Sequence, residues 1–345
     1  MTNILIIYTG GTIGMVNDPK TGVLKPFNFS NITSNVPELK RLNYNFAVHS
    51  FNPTLDSSNM TPEIWVELAI IIEDNYNKYD GFVVLHGSDT MSYSASALSF
   101  ALENLGKPVV FTGSQLPIGE IRTDAKENLL TALEIAAAKD QNGKAMVPEV
   151  CVYFDYMLYR GNRSSKVNSD KFEAFFSTNY TPLAEAGVQI KFNEKYILPH
   201  SENPLKVYKY FDTSVGSIKL FPGMDHKFVS AVTNTPGLRA IVLEAFGSGN
   251  ASTNPQFLAI LKEAIDRGII ILDISQCNGG TVDLGHYETS SHLTQMGVLS
   301  GYDLTFESAI TKLMFILGLN LPIEEQKKMI ETSLRGELTK LNGQV

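Results

Sequence analysis

Four short stretches of this chain hold side chains whose types and spacing suit covalent chemistry. The first is Thr9-Gly10-Gly11-Thr12-Ile13-Gly14, directly after an apolar run that begins at Ile4. Adjacent glycines turn the chain sharply and bring backbone N–H groups close to a ligand. The Thr12 hydroxyl then stands at the C-terminal end of a strand, where α/β sheets place their sites. The second stretch, His86-Gly87-Ser88-Asp89-Thr90-Met91, sets a hydroxyl beside a carboxylate. Asp89 also fits as a simple helix N-cap, and His86 reads as a satisfied residue at a strand end rather than a base. The third, Tyr159-Arg160-Gly161-Asn162-Arg163-Ser164-Ser165-Lys166, supplies a lysine. A lysine held in a cleft near a carboxylate and a hydroxyl can move protons. The fourth, Leu55-Asp56-Ser57-Ser58-Asn59-Met60, clusters small polar groups before a helix, and both capping and ligand contact fit it.

Two hydroxyls, one carboxylate and one lysine on loops after strands suit acyl transfer through a covalent intermediate. A threonine hydroxyl needs a neighbour to take its proton. An unperturbed lysine has a pKa of about 10.4, so the amine must be paired with Asp89 and partly desolvated to relay it. N–H groups of the glycine turn can stabilise an oxyanion. Spacing alone therefore reaches a hydrolase or transferase acting on a small polar substrate.

Other chemistries fail on spacing. The dinucleotide fingerprint is GxGxxG running into a helix, whereas this chain has GGxxG followed by Asp18, Pro19, Gly22 and Pro26. Gly113-Ser114-Gln115-Leu116-Pro117 is not a GxSxG elbow. The histidines (His49, His86, His200, His226, His286, His292) show no metal-ligand spacing beside a cysteine pair. Neither a metal nor a nucleotide cofactor is expected.

The elements that must position these groups are legible as alternation. Short β-branched runs at 3–8, 81–85, 108–111, 150–154, 240–243 and 269–274 read as strands buried on both faces of a parallel sheet. Helical stretches lie between and after them. The run 62–75 opens with Thr61, Pro62 and Glu63. The run 92–105 ends at Gly106, and 124–138 carries Leu129, Leu130, Leu133 and Ala137 on one stripe. Further helices are expected at 255–267, 305–317 with Gly318 beyond, and 323–334. The class is α/β, with helices on both sheet faces. Residues 188–210 break the rhythm, which predicts a domain at 1–190, a connection at 191–213 and a smaller domain at 214–345.

Composition bounds the partners. With 345 residues, 28 Lys+Arg and 36 Asp+Glu, the net charge is −8, which argues against nucleic acid and anionic membranes. Cys151 and Cys277 form no disulfide framework. No signal-peptide pattern and no run of about 18 apolar residues is present. The expectation is a soluble cytoplasmic protein.

The stretches 9–14, 86–91 and 159–166 together resemble the bacterial-type L-asparaginases, specifically the cytoplasmic type I branch. The likeness extends over nearly the whole chain, through 60–63, 93–106, 110–117, Asn250-Ala251, Gln276-Cys277 and 334–338. It implies a larger N-terminal α/β domain with a mostly parallel sheet and a smaller flavodoxin-like C-terminal one. It implies hydrolysis of L-asparagine to L-aspartate and ammonia through a β-aspartyl ester on Thr12. Ser88 matches a second catalytic hydroxyl, with Asp89 and Lys166 completing the relay. Ser57, Ser58, Asn59, Ser88, Asp89 and Ser114 match the substrate-binding set, and the stretch from Met15 to about Ser30 matches a closing lid. The family assembles as homodimers, often paired into homotetramers.

Four departures carry consequences. Ser88 stands where threonine is usual, so a methyl that restricts the rotamer is missing. The lid stretch Gly22-Val23-Leu24 lacks the tyrosine of many relatives, and Tyr287 is the substitute expected from the C-terminal domain. Asn59 replaces a common aspartate. Glu244 occupies the position of an arginine that, with a cysteine matched by Cys277, binds regulatory asparagine in some relatives, so activation of that kind is expected to be weak or absent. Two other readings share the scaffold. A non-catalytic amino-acid sensor would have lost a hydroxyl or the lysine, yet all four groups are present. An ammonia-releasing amidotransferase subunit would carry an extra N-terminal domain and suit tRNA, whereas here the nucleophile motif begins nine residues in and the charge is acidic.

Overall fold

A strand buried on both faces must be apolar at every position, and the run from Ile4 to Tyr8 meets that demand. In the computed structural model it lies in β1 (Thr2–Gly10), with each of those side chains buried. The structure describes residues 1–17, 24–26, 36–284 and 288–340. The chain forms two compact units, Met1–Lys209 and Tyr210–Val345. Both are α/β, the first larger, as the alternation predicts.

In the first unit β2 (Met15–Asn17) and β3 (Leu24–Pro26) pair as an antiparallel hairpin. After them come β4 (Tyr44–Leu55), β5 (Gly81–Leu85), β6 (Leu102–Glu103), β7 (Val109–Thr112), β8 (Val150–Phe154) and β9 (Met157–Arg160). Then follow β10 (Ser165–Lys166), β11 (Phe175–Phe176), β12 (Ala184–Ala186), β13 (Ile190–Phe192) and β14 (Lys206–Val207). The main sheet runs β13-β12-β9-β8-β7-β5-β1-β4. Its members β4, β1, β5, β7 and β8 are parallel, so their C-terminal ends share one edge. The helices are α1 (Pro62–Asn75), α2 (Met91–Ala101) and α3 (Ala125–Ala137). Ile4, Ile6 and Tyr8 pack with Leu129, Ala132 and Leu133 of α3 on one face, and period-two alternation sends Leu5 and Ile7 to the other.

Three sequence expectations need correction here. Strand β4 was not anticipated, because its half-exposed pattern and Pro53 hide it, yet it pairs along β1 from Tyr44 to Leu55. Helix α2 stops at Ala101, not 105. Leu102 and Glu103 leave it to pair with β14, and Asn104 takes a left-handed φ of 60°. The stretch expected as a connection is partly built into the first unit. Ile190–Phe192 extends the sheet, and the buried Arg160–Glu149 ion pair (2.5 Å) also accepts Leu198 N–H and donates to Tyr196 O.

The second unit holds β15 (Val215–Lys219), β16 (Ala240–Ala245), β17 (Ile270–Ser275) and β18 (Leu299–Ser300), parallel and in chain order across the sheet. Its helices are α4 (His226–Thr233), α5 (Pro255–Asp266), α6 (Glu288–Met296), α7 (Phe306–Gly318) and α8 (Ile323–Ile330). Ile241, Leu243 and Ile271 of the sheet pack on Val229, Phe257, Leu261 and Leu293. Gly318 is inside α7 and not beyond it. A side chain there would strike the Tyr210 carbonyl, 2.9 Å from its Cβ, so the glycine serves close packing while Asn320 takes the left-handed turn. Helix α8 ends at Ile330, four residues before expected, because Lys312 Nζ takes the carbonyls of Ile330 and Thr332 (both 2.7 Å). Asp273 on β17 is buried with neither carboxyl oxygen hydrogen-bonded among the described residues, and burial raises its pKa well above the carboxylate range. No described helix is long and apolar enough to cross a membrane.

Candidate active site

The loops after β1, β4, β5 and β7 open on the same sheet edge and hold the Thr12, Ser57, Ser88 and Ser114 stretches, while the Lys166 stretch runs from antiparallel β9 into β10. Their backbones approach so closely that side chains are excluded. A Cβ on Gly10 (φ 143°) would collide with the Leu55 carbonyl, and one on Gly11 (φ 88°) would lie 2.6 Å from Gly87 Cα. Thr12 therefore sits, half-buried, on a 3-10 turn pressed against the Gly87–Asp89 loop. Thr90 Oγ1 donates to Ser57 O (2.7 Å) and joins the third loop to the second.

His86 is fully buried, and burial pushes its pKa down to about 4, so the ring is neutral. Nδ1 donates to Gly87 O (2.6 Å), which leaves Nε2 to accept from Ser94 Oγ (2.9 Å). Ser94 Oγ in turn accepts from Trp65 Nε1 (3.0 Å). This chain fixes the peptide just before Ser88. His86 is a scaffold residue.

Asp89 is not the helix cap. Its carboxylate Oδ1 meets Lys166 Nζ at 2.7 Å, and the same Nζ donates to Ser88 Oγ at 2.8 Å. The lysine side chain is 16% exposed and the aspartate 69%, so water reaches the carboxylate side of the pair. Lys166 is held by pairing of β10 with β11, Lys166 opposite Phe175. Thus residues 77 and 78 positions apart in sequence meet on one ammonium group.

The remaining expected residues flank this cluster. Ser57 is buried, with its Oγ 2.5 Å from where a Gly87 Cβ would be. Ser58 is exposed, and both its N–H (2.8 Å) and its hydroxyl (2.7 Å) donate to Asp56, which holds the Asp56 carboxyl below its usual range. Asn59 is exposed at the end of the same turn. Ser114, buried after β7, donates to Leu116 O (2.6 Å). Sequence reasoning missed two residues here. Asp124 stands at the start of α3 without capping it by its side chain; its carboxylate accepts the N–H groups of Gln115 (2.9 Å) and Leu116 (3.1 Å) and holds the Ser114 loop. Gln115 reaches Ser88 itself (3.4 Å). The signal was present in 113–117, a polar loop after a strand like the other four.

Residues 3–198 match the family model for the asparaginase N-terminal domain, and 214–330 match that for the glutaminase/asparaginase C-terminal domain. The chain belongs to the asparaginase family. L-asparaginase 1 of Escherichia coli is 42% identical over 338 residues, covering 98% of both chains. The crystal structure of L-asparaginase I from Vibrio cholerae superposes with a TM-score of 0.90 at 42% identity, covering 98% of this chain and 99% of that one. A 60 kDa lysophospholipase of Mus musculus is 38% identical over 97% of this chain and 62% of its own length.

Glu244 and Cys277 also lie among the described residues. Glu244 on β16 pairs with Lys219 Nζ (3.2 Å), and Gln276 Nε2 spans the carbonyls of Leu220 and Glu244 (2.6 and 2.7 Å). Cys277 is exposed. Tyr287, Gly22 and Val23 lie outside the described residues, as do most of 15–30. Met15 and Leu24 are described, on β2 and β3.

Proposed function

We propose that this protein hydrolyses L-asparagine to L-aspartate and ammonia through an ester on Thr12. Thr12 Oγ attacks the side-chain amide carbon. Its proton passes to the Ser88–Lys166–Asp89 relay and leaves with the departing ammonia. Water then attacks the ester, and Thr12 recovers its proton as aspartate departs. Asp89 binds the α-ammonium group, the Ser57–Asn59 turn the α-carboxylate, and Ser114 the amide end. Tyr287 assists the nucleophile. The observation that carries the reading is Lys166 Nζ set between Ser88 Oγ and Asp89 Oδ1, beside the turn of Thr12. A positioned lysine, hydroxyl and carboxylate is the equipment a weak alcohol nucleophile requires. The protein works in the cytoplasm as a homodimer or a dimer of such dimers.

Ammonia release from L-asparagine, D-asparagine and L-glutamine tests it. L-asparagine is expected to be the best substrate. Glutamine, one methylene longer, should fall behind in kcat/KM by about 10- to 200-fold. No turnover, with asparagine binding still seen by calorimetry, would favour the sensor reading instead.

The curve's shape tests the Glu244 argument. A carboxylate whose ion pair among the described residues is with an exposed lysine leaves that position hostile to an effector's carboxylate. The rate is expected to follow a hyperbola in asparagine concentration. A sigmoidal curve that becomes hyperbolic in Cys277→Ala would overturn this.

A further inference from the structure

The serine at position 88 lacks the methyl group that restricts a threonine rotamer, yet its hydroxyl is held. Lys166 Nζ donates to Ser88 Oγ at 2.8 Å, and the hydroxyl hydrogen points at Gln115 Oε1, 3.4 Å away. That second bond is long, so it orients more than it binds. Gln115 is itself fixed at both ends. Its Nε2 donates to Lys171 O (2.9 Å), which decides that the oxygen and not the nitrogen of the amide faces Ser88. Its backbone N–H is held by the Asp124 carboxylate (2.9 Å), and Asn128 Nδ2 ties the same loop at Gly113 O (3.0 Å).

We propose that Gln115 is a positioning residue that sets the Ser88 rotamer in place of the missing methyl. The proposal rests on the reading of Ser88 as a relay hydroxyl. A hydroxyl has one hydrogen and two lone pairs. With its hydrogen drawn to Gln115 and Lys166 Nζ on one lone pair, the Ser88 oxygen is held beside the amine. In the transfer it takes the nucleophile's proton on its free lone pair and passes its own hydrogen to Lys166 Nζ as free amine, so the hydroxyl ends neutral. Loss of the acceptor lets the hydroxyl rotate, and the relay is then correctly aimed for only part of the time.

The test is a double-mutant cycle on L-asparagine hydrolysis. Gln115→Met and Gln115→Leu are each made in the native background and in Ser88→Thr. In the native background kcat is expected to fall about tenfold with KM little changed. In the Ser88→Thr background, where a methyl restricts the rotamer, the same changes are expected to cost about twofold or less. Equal losses in both backgrounds, a rise in KM with kcat kept, or no effect in either would each overturn the proposal. Ser88→Ala separates the two levels of argument. If Ser88→Ala keeps full activity, the relay reading itself fails. If it abolishes activity while both Gln115 variants are native-like, only the positioning role fails.

Discussion

Thr12→Ala is expected to lower ammonia release from L-asparagine by roughly a thousandfold or more while the protein stays folded. The backbone of the Thr12 turn is set by Gly11 against Gly87 and by the Gly14 N–H to Gly11 O bond (3.2 Å), none of which involves the Thr12 side chain. Removing a half-buried hydroxyl and methyl there should change stability by no more than about 1 kcal/mol. The chemistry has no comparable substitute. Ser88 is already tied to Lys166 and Gln115. Steady-state kinetics with a melting curve on the same sample decides it. Activity above about a tenth of native in a folded Thr12→Ala protein would remove Thr12 as nucleophile and shift attention to Ser88.

The buried parallel strands were legible because burial on two faces leaves an unbroken apolar run, as in residues 4–8 and 81–85. Strand β4 was not, because a half-exposed edge strand interleaves polar residues and carries a proline. Helix starts were better marked than helix ends. The Thr61-Pro62 signal does mark the start of α1, although Thr61 makes no side-chain cap bond, but Gly106 and Gly318 carry no terminating role, since a glycine also answers a packing demand that only the fold defines. Among the site groups, Thr12, Ser88 and Asp89 follow from one rule, that parallel strands bring their C-terminal loops to one edge; Lys166 does not, because antiparallel β9 intervenes after β8 and the β10–β11 pairing holds it. Asp124 and Gln115 escaped because their partners are backbone groups and one hydroxyl 27 residues away. Such contacts leave no periodic trace in sequence.

The second unit offers the largest expected change in stability. Lys312 on α7 and Glu337 are both fully buried, their charged atoms 2.6 Å apart. The pair closes the end of the chain onto the helix. Lys312 also takes the carbonyls of Ile330 and Thr332, and Glu337 accepts the N–H groups of Leu334 (2.9 Å) and Arg335 (2.6 Å). Lys312→Met leaves a buried carboxylate without its cation and two carbonyls without their donor. Breaking such a pair from one side costs about 3–5 kcal/mol, so the melting temperature of the second unit should drop by roughly 10 °C at neutral pH. The double variant Lys312→Met with Glu337→Leu removes both charges and should recover part of the loss. The pH dependence has a definite sign. Burial alone would raise the Glu337 carboxyl, but the Lys312 charge and the two backbone donors outweigh it and leave the folded pKa below its ordinary value. A depressed carboxyl stabilises the fold above its unfolded pKa of about 4.3 and loses that contribution as the pH falls through the folded value. Acid melting curves should therefore separate native protein from Glu337→Gln most at neutral pH and bring them together in acid. A Lys312→Met protein that melts within about 2 °C of native at pH 7 would mean that the end of the chain is held by its apolar contacts and that the ion pair is incidental.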